Sequence, residues 1–130
     1  EDAFAYLCRR FVLDGAELLV NLTNDSWSRT VSAEIQHFVA ARYRAVELRR
    51  TLVRSTNGGV SGLVLPDGSL AELLPLLSSE AQFIQIPVYT GEETPYLRYG
   101  DWFATLLACI LGALALILYL DDAVARREAA

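Results

Sequence analysis

The sequence predicts an α/β segment over residues 1–100, a single membrane-crossing helix over residues 101–120 and a short tail over residues 121–130. Three observations carry this expectation. Amphipathic helical patterns alternate with short runs rich in Leu, Val and Ile, as expected when helices cover a sheet. Asn57-Gly58-Gly59 and Pro66-Asp67-Gly68 punctuate the later runs as turns; proline fixes φ and glycine accepts φ > 0. Residues 102–120 then run for 19 positions without a charge, and at about 1.5 Å per residue they span roughly 28 Å, the thickness of a bilayer's hydrocarbon.

In chain order, DAFAYLCRRFVLDG reads as a helix stopped by Gly15, with Phe4, Leu7, Cys8 and Phe11 on one face. AELLVNLT reads as a buried central strand that ends abruptly in Asn24-Asp25-Ser26-Trp27. SAEIQHFVAARYRAVELRR is a long amphipathic helix, with Ser32 as its expected N-cap and Ile35, Phe38, Val39, Ala45 and Val46 in its buried stripe. TLVRST and VSGLVL are two further strands, SLAELLP follows the proline turn, and QFIQIPV alternates like a strand before Pro87. TGEETPYLRYGD is polar and leads into the apolar run. Trp102 and Tyr119 suit the two interfaces, and Arg126 and Arg127 beyond the run favour a cytoplasmic C-terminus over Arg98 before it.

Composition excludes several classes. There are 16 acidic residues against 11 arginines and no lysine; with no basic stripe, nucleic acid is not an expected partner. One histidine, His37, and two separated cysteines, Cys8 and Cys109, do not make a metal set. No complete Gly-x-Ser-x-Gly elbow is present, since Gly59-Val60-Ser61-Gly62-Leu63 lacks its last glycine, so His37 reads as a packing or hydrogen-bonding residue. Gly58-Gly59 with Gly62 hints weakly at phosphate binding, but the stretch joins two strands and opens no helix. The absence of methionine, with no signal-peptide pattern at Glu1, predicts a piece of a longer chain.

Two places invite chemistry. NLTND and RSTNG both end an apolar strand in Thr-Asn, and strand carboxyl ends are where α/β sheets present ligand-binding groups. Asn24 and Asn57 are each ordinary turn residues taken alone; their repetition beside Trp27 opens the functional reading. Arg44 and Glu47, three apart on the long helix, read either as a solvated ion pair worth tenths of a kcal/mol or as an inward pair orienting the strand ends.

Taken in order, Asn24-Asp25-Ser26-Trp27, Gln36-His37, Ala41-Arg42-Tyr43-Arg44-Ala45-Val46-Glu47, Arg54-Ser55-Thr56-Asn57-Gly58-Gly59 and Pro66-Asp67-Gly68 resemble the later half of a carbon–nitrogen hydrolase (nitrilase-superfamily) domain. Thr94-Pro95-Tyr96-Leu97-Arg98-Tyr99-Gly100-Asp101-Trp102, leading into an apolar helix, narrows the resemblance to the bacterial apolipoprotein N-acyltransferase family. The resemblance covers all but the last ten residues or so. It implies the carboxy-terminal part of a nitrilase-like αββα sandwich, held outside the bacterial cytoplasmic membrane by a multi-span domain and followed by one last transmembrane helix. The implied chemistry is ping-pong acyl transfer without a cofactor. A cysteine thiolate takes an acyl chain from a phospholipid as a thioester, and the N-terminal cysteine amine of a diacylglyceryl apolipoprotein accepts it, with a glutamate base and a lysine at the oxyanion.

The same resemblance assigns residues. The family's nucleophile stands in a Cys-Tyr-Glu motif whose glutamate matches Glu1, so the nucleophile is expected two positions ahead of Glu1, with the base and lysine further upstream. Cys8 is too late to be it, and the chain alone is expected to be inactive. Asn24 and Trp27 would form the loop beside the nucleophile, Trp27 touching acyl chain or substrate. Arg44, Glu47 and Asn57 would brace that rim. Ser28 and Arg29 depart from the family's Phe and Gly, which removes apolar area from the loop. Two other readings stand beside this one: a membrane-tethered amidase acting on a small amide or nitrile, and a non-catalytic, membrane-anchored binding fragment or remnant.

Overall fold

A computed structural model describes residues 4–28, 30–76 and 78–128. The chain divides into two compact units, one ending at Gly100 and one beginning at Asp101. In the first, helix α1 (Ala5–Leu13) leads into strand β1 (Leu18–Asn24) and a 3₁₀ turn (Ser26–Ser28). Helix α2 (Val31–Leu48) then crosses to strand β2 (Thr51–Asn57), followed by β3 (Gly62–Val64), β4 (Leu70–Leu73) and the short helix α3 (Pro95–Tyr99).

The four strands lie in chain order, β1-β2-β3-β4. β1 and β2 are parallel over their whole length, from Leu18 opposite Thr51 to Asn24 opposite Asn57; α2 is the crossover that a parallel pair requires. β2–β3 and β3–β4 are antiparallel, as their short connections dictate. The core lies on one face of this sheet. Cys8 and Val12 of α1, Phe38, Ala41, Ala45 and Leu48 of α2, and Leu97 of α3 pack there with Leu19, Leu52 and Val64 of the strands. Ala41 and Ala45 are fully buried, and their small side chains let α2 lie close to the sheet. The opposite side is open around β1, where Val20 is 59% and Leu22 71% exposed.

Several expectations need correction. α2 begins one residue before Ser32, at Val31, with Thr30 at the N-cap and no side-chain cap bond. Its buried stripe runs through Glu34, Phe38, Ala41, Ala45 and Leu48, leaving Ile35 and Val39 exposed; the pattern was rotated by reading apolar residues alone. Phe4, at the N-cap of α1, and Phe11 on the helix are exposed, while α1 buries Cys8 and Val12. β1 is an edge strand among the described residues, not a central one. QFIQIPV forms no strand; its segment is held where Gln82 Nε2 donates to Glu72 Oε2 at 3.2 Å and Thr51 Oγ1 donates to the Pro87 carbonyl at 2.5 Å.

α3 arises inside the polar stretch, from a local signal. Thr94 caps it, accepting from the Leu97 amide at 3.0 Å, and Pro95 opens its first turn. The Thr94 hydroxyl also donates to the Glu47 carbonyl, and Arg9 of α1 donates to the carbonyls of Tyr96 (3.1 Å), Leu97 (2.9 Å) and Arg98 (3.1 Å). The helix is thus pinned to both α1 and α2. At the Pro66-Asp67-Gly68 turn, the Ser69 hydroxyl (2.6 Å) and amide (2.8 Å) donate to Asp67 and hold its carboxyl below the ordinary carboxylate range.

The second unit is helix α4 (Trp102–Glu128). It continues past Leu120 through Asp121 and Asp122, so the helix outlasts its apolar stretch. It is long and apolar enough to cross a membrane.

Gly62 is the tightest backbone position in the sheet. A Cβ there would overlap the Glu72 carbonyl oxygen and stand 2.8 Å from Leu73 Cδ2. Gly62→Ala is therefore expected to destabilise the fold by about 1–3 kcal/mol, the usual cost of overpacking. Gly91→Ala, with nothing within 4 Å of its Cβ, should stay within about 0.5 kcal/mol of the parent. Unfolding midpoints of the two variants check this, and equal midpoints would refute the assigned packing at Gly62.

Candidate functional site

The parallel register brings the two Thr-Asn strand ends together. Thr23 stands opposite Thr56 and Asn24 opposite Asn57, so both asparagines sit on one rim at the carboxyl ends of β1 and β2. Both are exposed. Asn24 Oδ1 accepts from the Ser26 amide (3.2 Å) and hydroxyl (2.6 Å), an Asx turn that starts the loop. Asn57 holds that loop through its backbone, its carbonyl accepting from the Asp25 amide at 3.0 Å.

Beneath the rim is a buried ion pair that sequence reasoning did not single out. Asp25 and Arg54 are each 2% exposed. Arg54 Nη2 donates to Asp25 Oδ2 at 2.6 Å, and Nη1 to Asn21 Oδ1 at 2.7 Å. The hydroxyls of Thr56 and Thr23 add donors to the same carboxylate, each at 3.3 Å, and His37 Nδ1 of α2 lies 3.3 Å from Asp25 Oδ1. Arg54 comes from the middle of β2, on the face that carries Leu52, so its guanidinium points toward the helices and not into water. A signal existed: Arg54 is the lone charge in TLVRSTN, and its partner on β1, Asn21, is the lone polar residue in LLVNL.

The glycines that hinted at phosphate binding are consumed by this packing. A Cβ on Gly59 would stand 2.5 Å from Asp25 Oδ2, and one on Gly58, at φ +89°, 3.0 Å from the Ser26 Cβ. They admit the Asp25–Ser26 loop against the β2 end.

Trp27 rides on the 3₁₀ turn that follows Asp25, with 68% of its surface exposed. Its ring meets the His37 ring edge-to-face, with centroids 5.9 Å apart. His37 thus packs its ring on Trp27 while its Nδ1 faces Asp25; of the packing or hydrogen-bonding role its mid-helix position suggested, the packing is seen.

Arg44 and Glu47 do pair: Arg44 Nη2 donates to Glu47 Oε1 at 3.1 Å, and Nη1 lies 3.1 Å from Oε2. Glu47 lies ten residues beyond His37 on α2, roughly 15 Å along the axis, and its carbonyl is the one that Thr94 holds. Among the described residues, the side chains of Arg54, Thr23, Thr56 and His37 reach the rim loop directly. Arg44 also lines a groove of about 510 Å³ beside β1, with Cys8, Phe11, Asp14, Leu19 and Asn21.

Glu1 and Arg29 lie outside the described residues. Among the described residues, no group of three or more His, Cys, Asp or Glu is placed to hold a metal. Cys8 is buried in the core, and Cys109 lies on α4 in the second unit.

Comparison with known proteins agrees with this architecture. The sequence model of the carbon-nitrogen hydrolase family matches residues 1–96. Apolipoprotein N-acyltransferase 2 of Treponema denticola is 49% identical over 111 residues, covering 85% of this chain and 21% of the relative. The protein of the same name from Treponema pallidum is 48% identical over 113 residues (87% and 20%), and apolipoprotein N-acyltransferase of Thermotoga maritima 43% over 103 residues (79% and 20%). The chain spans about a fifth of the length of these curated relatives. With its mixed sheet, its helix-covered face and a match over three-quarters of its length, the chain belongs to the carbon–nitrogen hydrolase family.

Proposed function

We propose that this chain is the carboxy-terminal part of a membrane N-acyltransferase, whose nucleophilic cysteine lies upstream of Glu1. The thiolate attacks an acyl ester of a phospholipid; a thioester forms and the lysophospholipid alcohol leaves. The α-amine of the N-terminal cysteine of a diacylglyceryl apolipoprotein then attacks the thioester, forming an amide and releasing the thiolate. A glutamate takes up and returns the proton, and a lysine stabilises the oxyanion. Both of these also come from upstream residues, and Glu1 flanks the nucleophile. On this reading the chain without those residues does not turn over.

The observation that carries the reading is an exposed tryptophan on a loop pinned from below, at the carboxyl ends of a parallel strand pair. Folding does not need Trp27 in water, whereas a lipid chain needs an apolar wall that does not yield. The parallel unit β1–α2–β2 supports the location of the nucleophile. A strand ahead of α1, pairing in the same sense with the other edge of β1, would run past the groove beside residues 18–21 and end beside Asn24. The second sheet of an αββα sandwich would cover Val20 and Leu22. Asn24 and Trp27 form the lipid-facing rim, and Asn57, Arg44 and Glu47 brace the framework behind it. α4 crosses the bacterial inner membrane, with the hydrolase domain on its outer face and the C-terminus in the cytoplasm.

The test is Trp27→Ala in the full-length enzyme. The apparent KM for phospholipid should rise by about tenfold or more, the expected loss for an aromatic anchor, with the rate of thioester formation at saturating lipid changed much less. Unchanged lipid kinetics, or turnover of small amides with water as acceptor and no acyl-enzyme formed from phospholipid, would overturn the reading.

A further inference from the structure

Trp27 has two restraints, and both pass through one carboxylate. The first is the base of its loop, where Asp25 is tied to Arg54 and Thr56 of β2 and to Thr23 of β1. The second is its ring, which rests edge-to-face on His37, while His37 Nδ1 faces the same Asp25 at 3.3 Å. We propose that Asp25, Arg54 and His37 are positioning residues that set the height and tilt of Trp27 over the rim, and so the enzyme's affinity for its lipid. This inference rests on the reading of Trp27 as a lipid contact.

Three physical points lead to it. Burying an ion pair gains little stability over a well-packed apolar pair, because desolvation offsets the Coulomb attraction. What the pair does supply is direction. The fork of Arg54 holds Asn21 with one nitrogen and Asp25 with the other, so it locks the stagger of β1 against β2 and the departure point of the loop together. Glycine at 59 is required for that carboxylate to sit where it does, since a Cβ would reach within 2.5 Å of Oδ2. His37 then couples the loop to α2, an element anchored through the core by Phe38 and Ala41. A loop with no task would not need fixing from two strands and a helix while its largest side chain stays in water.

The test uses the full-length enzyme in detergent–phospholipid micelles and a double-mutant cycle. Trp27→Ala, Asp25→Asn and His37→Phe are compared singly, and each of the last two is combined with Trp27→Ala. His37→Phe keeps a ring against Trp27 but removes the nitrogen facing Asp25. Asp25→Asn should raise the apparent KM for phospholipid with kcat within about threefold, and His37→Phe should raise it about two- to tenfold, the size of effect that losing one polar contact to a buried carboxylate produces. In the Trp27→Ala background neither change should raise KM further, because there is no ring left to position.

Additive effects on KM, or a fall in kcat with KM unchanged, would overturn the inference and leave a merely structural role. If Trp27→Ala raises KM and the other two do not, positioning fails while the rim reading stands. If Trp27→Ala itself does nothing, both fall. Should Asp25→Asn not accumulate as folded protein, His37→Phe and its double variant decide the matter, since that side chain is half-exposed.

Discussion

Arg54→Met is expected to destabilise the folded unit by about 3–5 kcal/mol, the cost of leaving a buried charge without its partner. Asp25 is 2% exposed and cannot recover solvation without opening the rim. Among the described residues its remaining side-chain contacts are two hydroxyl donors at 3.3 Å and the His37 ring facing it at 3.3 Å, none of them a fixed charge at the 2.6 Å of Arg54. Asn21 Oδ1 loses its 2.7 Å donor in the same step. The double variant Asp25→Leu with Arg54→Met removes both charges and should be less damaged than Arg54→Met alone, since apolar replacement of a whole buried pair is often neutral. Pulse proteolysis of the full-length protein across a denaturant series reads both, together with Asp25→Leu alone. A single variant within about 1 kcal/mol of the parent, or a double equal to the sum of its parts, would mean that the pair is not the buried unit described here.

How much of this was legible differs by element, for physical reasons. α4 and its composition were plain, because a chargeless run of that length admits few structures. The parallel strand ends were readable from the repeat of Thr-Asn, since register pairs like with like: Thr23 with Thr56, Asn24 with Asn57. Helix faces were less so. Ile35 and Val39 look like core residues by hydrophobicity, yet α2 turns them outward and buries Glu34 and two alanines, and no one-residue scale reports that small side chains are what a close helix–sheet approach needs. QFIQIPV alternates as a strand should, but alternation does not supply a neighbouring strand, and none among the described residues pairs with it. At the site, Asn24, Trp27 and Asn57 were chosen for their positions at strand ends. Asp25 was passed over as one polar letter in a turn, and Arg54 as part of a run. Their meeting depends on a register that joins residues 29 apart in sequence, and such a pairing is visible only once the two strands are laid side by side. Arg44–Glu47 was legible as a pair because its spacing is local; spacing alone does not say what the pair does in the fold.

Leu111→Arg should prevent stable insertion of α4, because a guanidinium at the middle of the apolar run costs about 2.5–3.5 kcal/mol on insertion scales. Leu111 lies nine residues from each end of residues 102–120, too deep for the side chain to reach either interface easily. Tyr119→Arg is the matched control: one position from the end of the run and three from Asp122, it can snorkel to water and should insert nearly as well as the parent. The helix carried by an insertion reporter, with glycosylation acceptors on either flank, separates the cases and also reports orientation. The predicted outcome is modification on the Asp101 side in the parent and in Tyr119→Arg, and a marked loss of the inserted form in Leu111→Arg. Modification on the Arg126–Arg127 side would reverse the proposed orientation and put the rim of Trp27 in the cytoplasm, away from the outer membrane face on which the proposed acyl acceptor is presented. Insertion of Leu111→Arg equal to that of Tyr119→Arg would refute the central depth assigned to Leu111, and failure of the parent helix itself to insert would remove the membrane-crossing role: the sequence of α4 would then have to be buried against protein, and Trp27 would no longer have a lipid surface brought to it by its own chain.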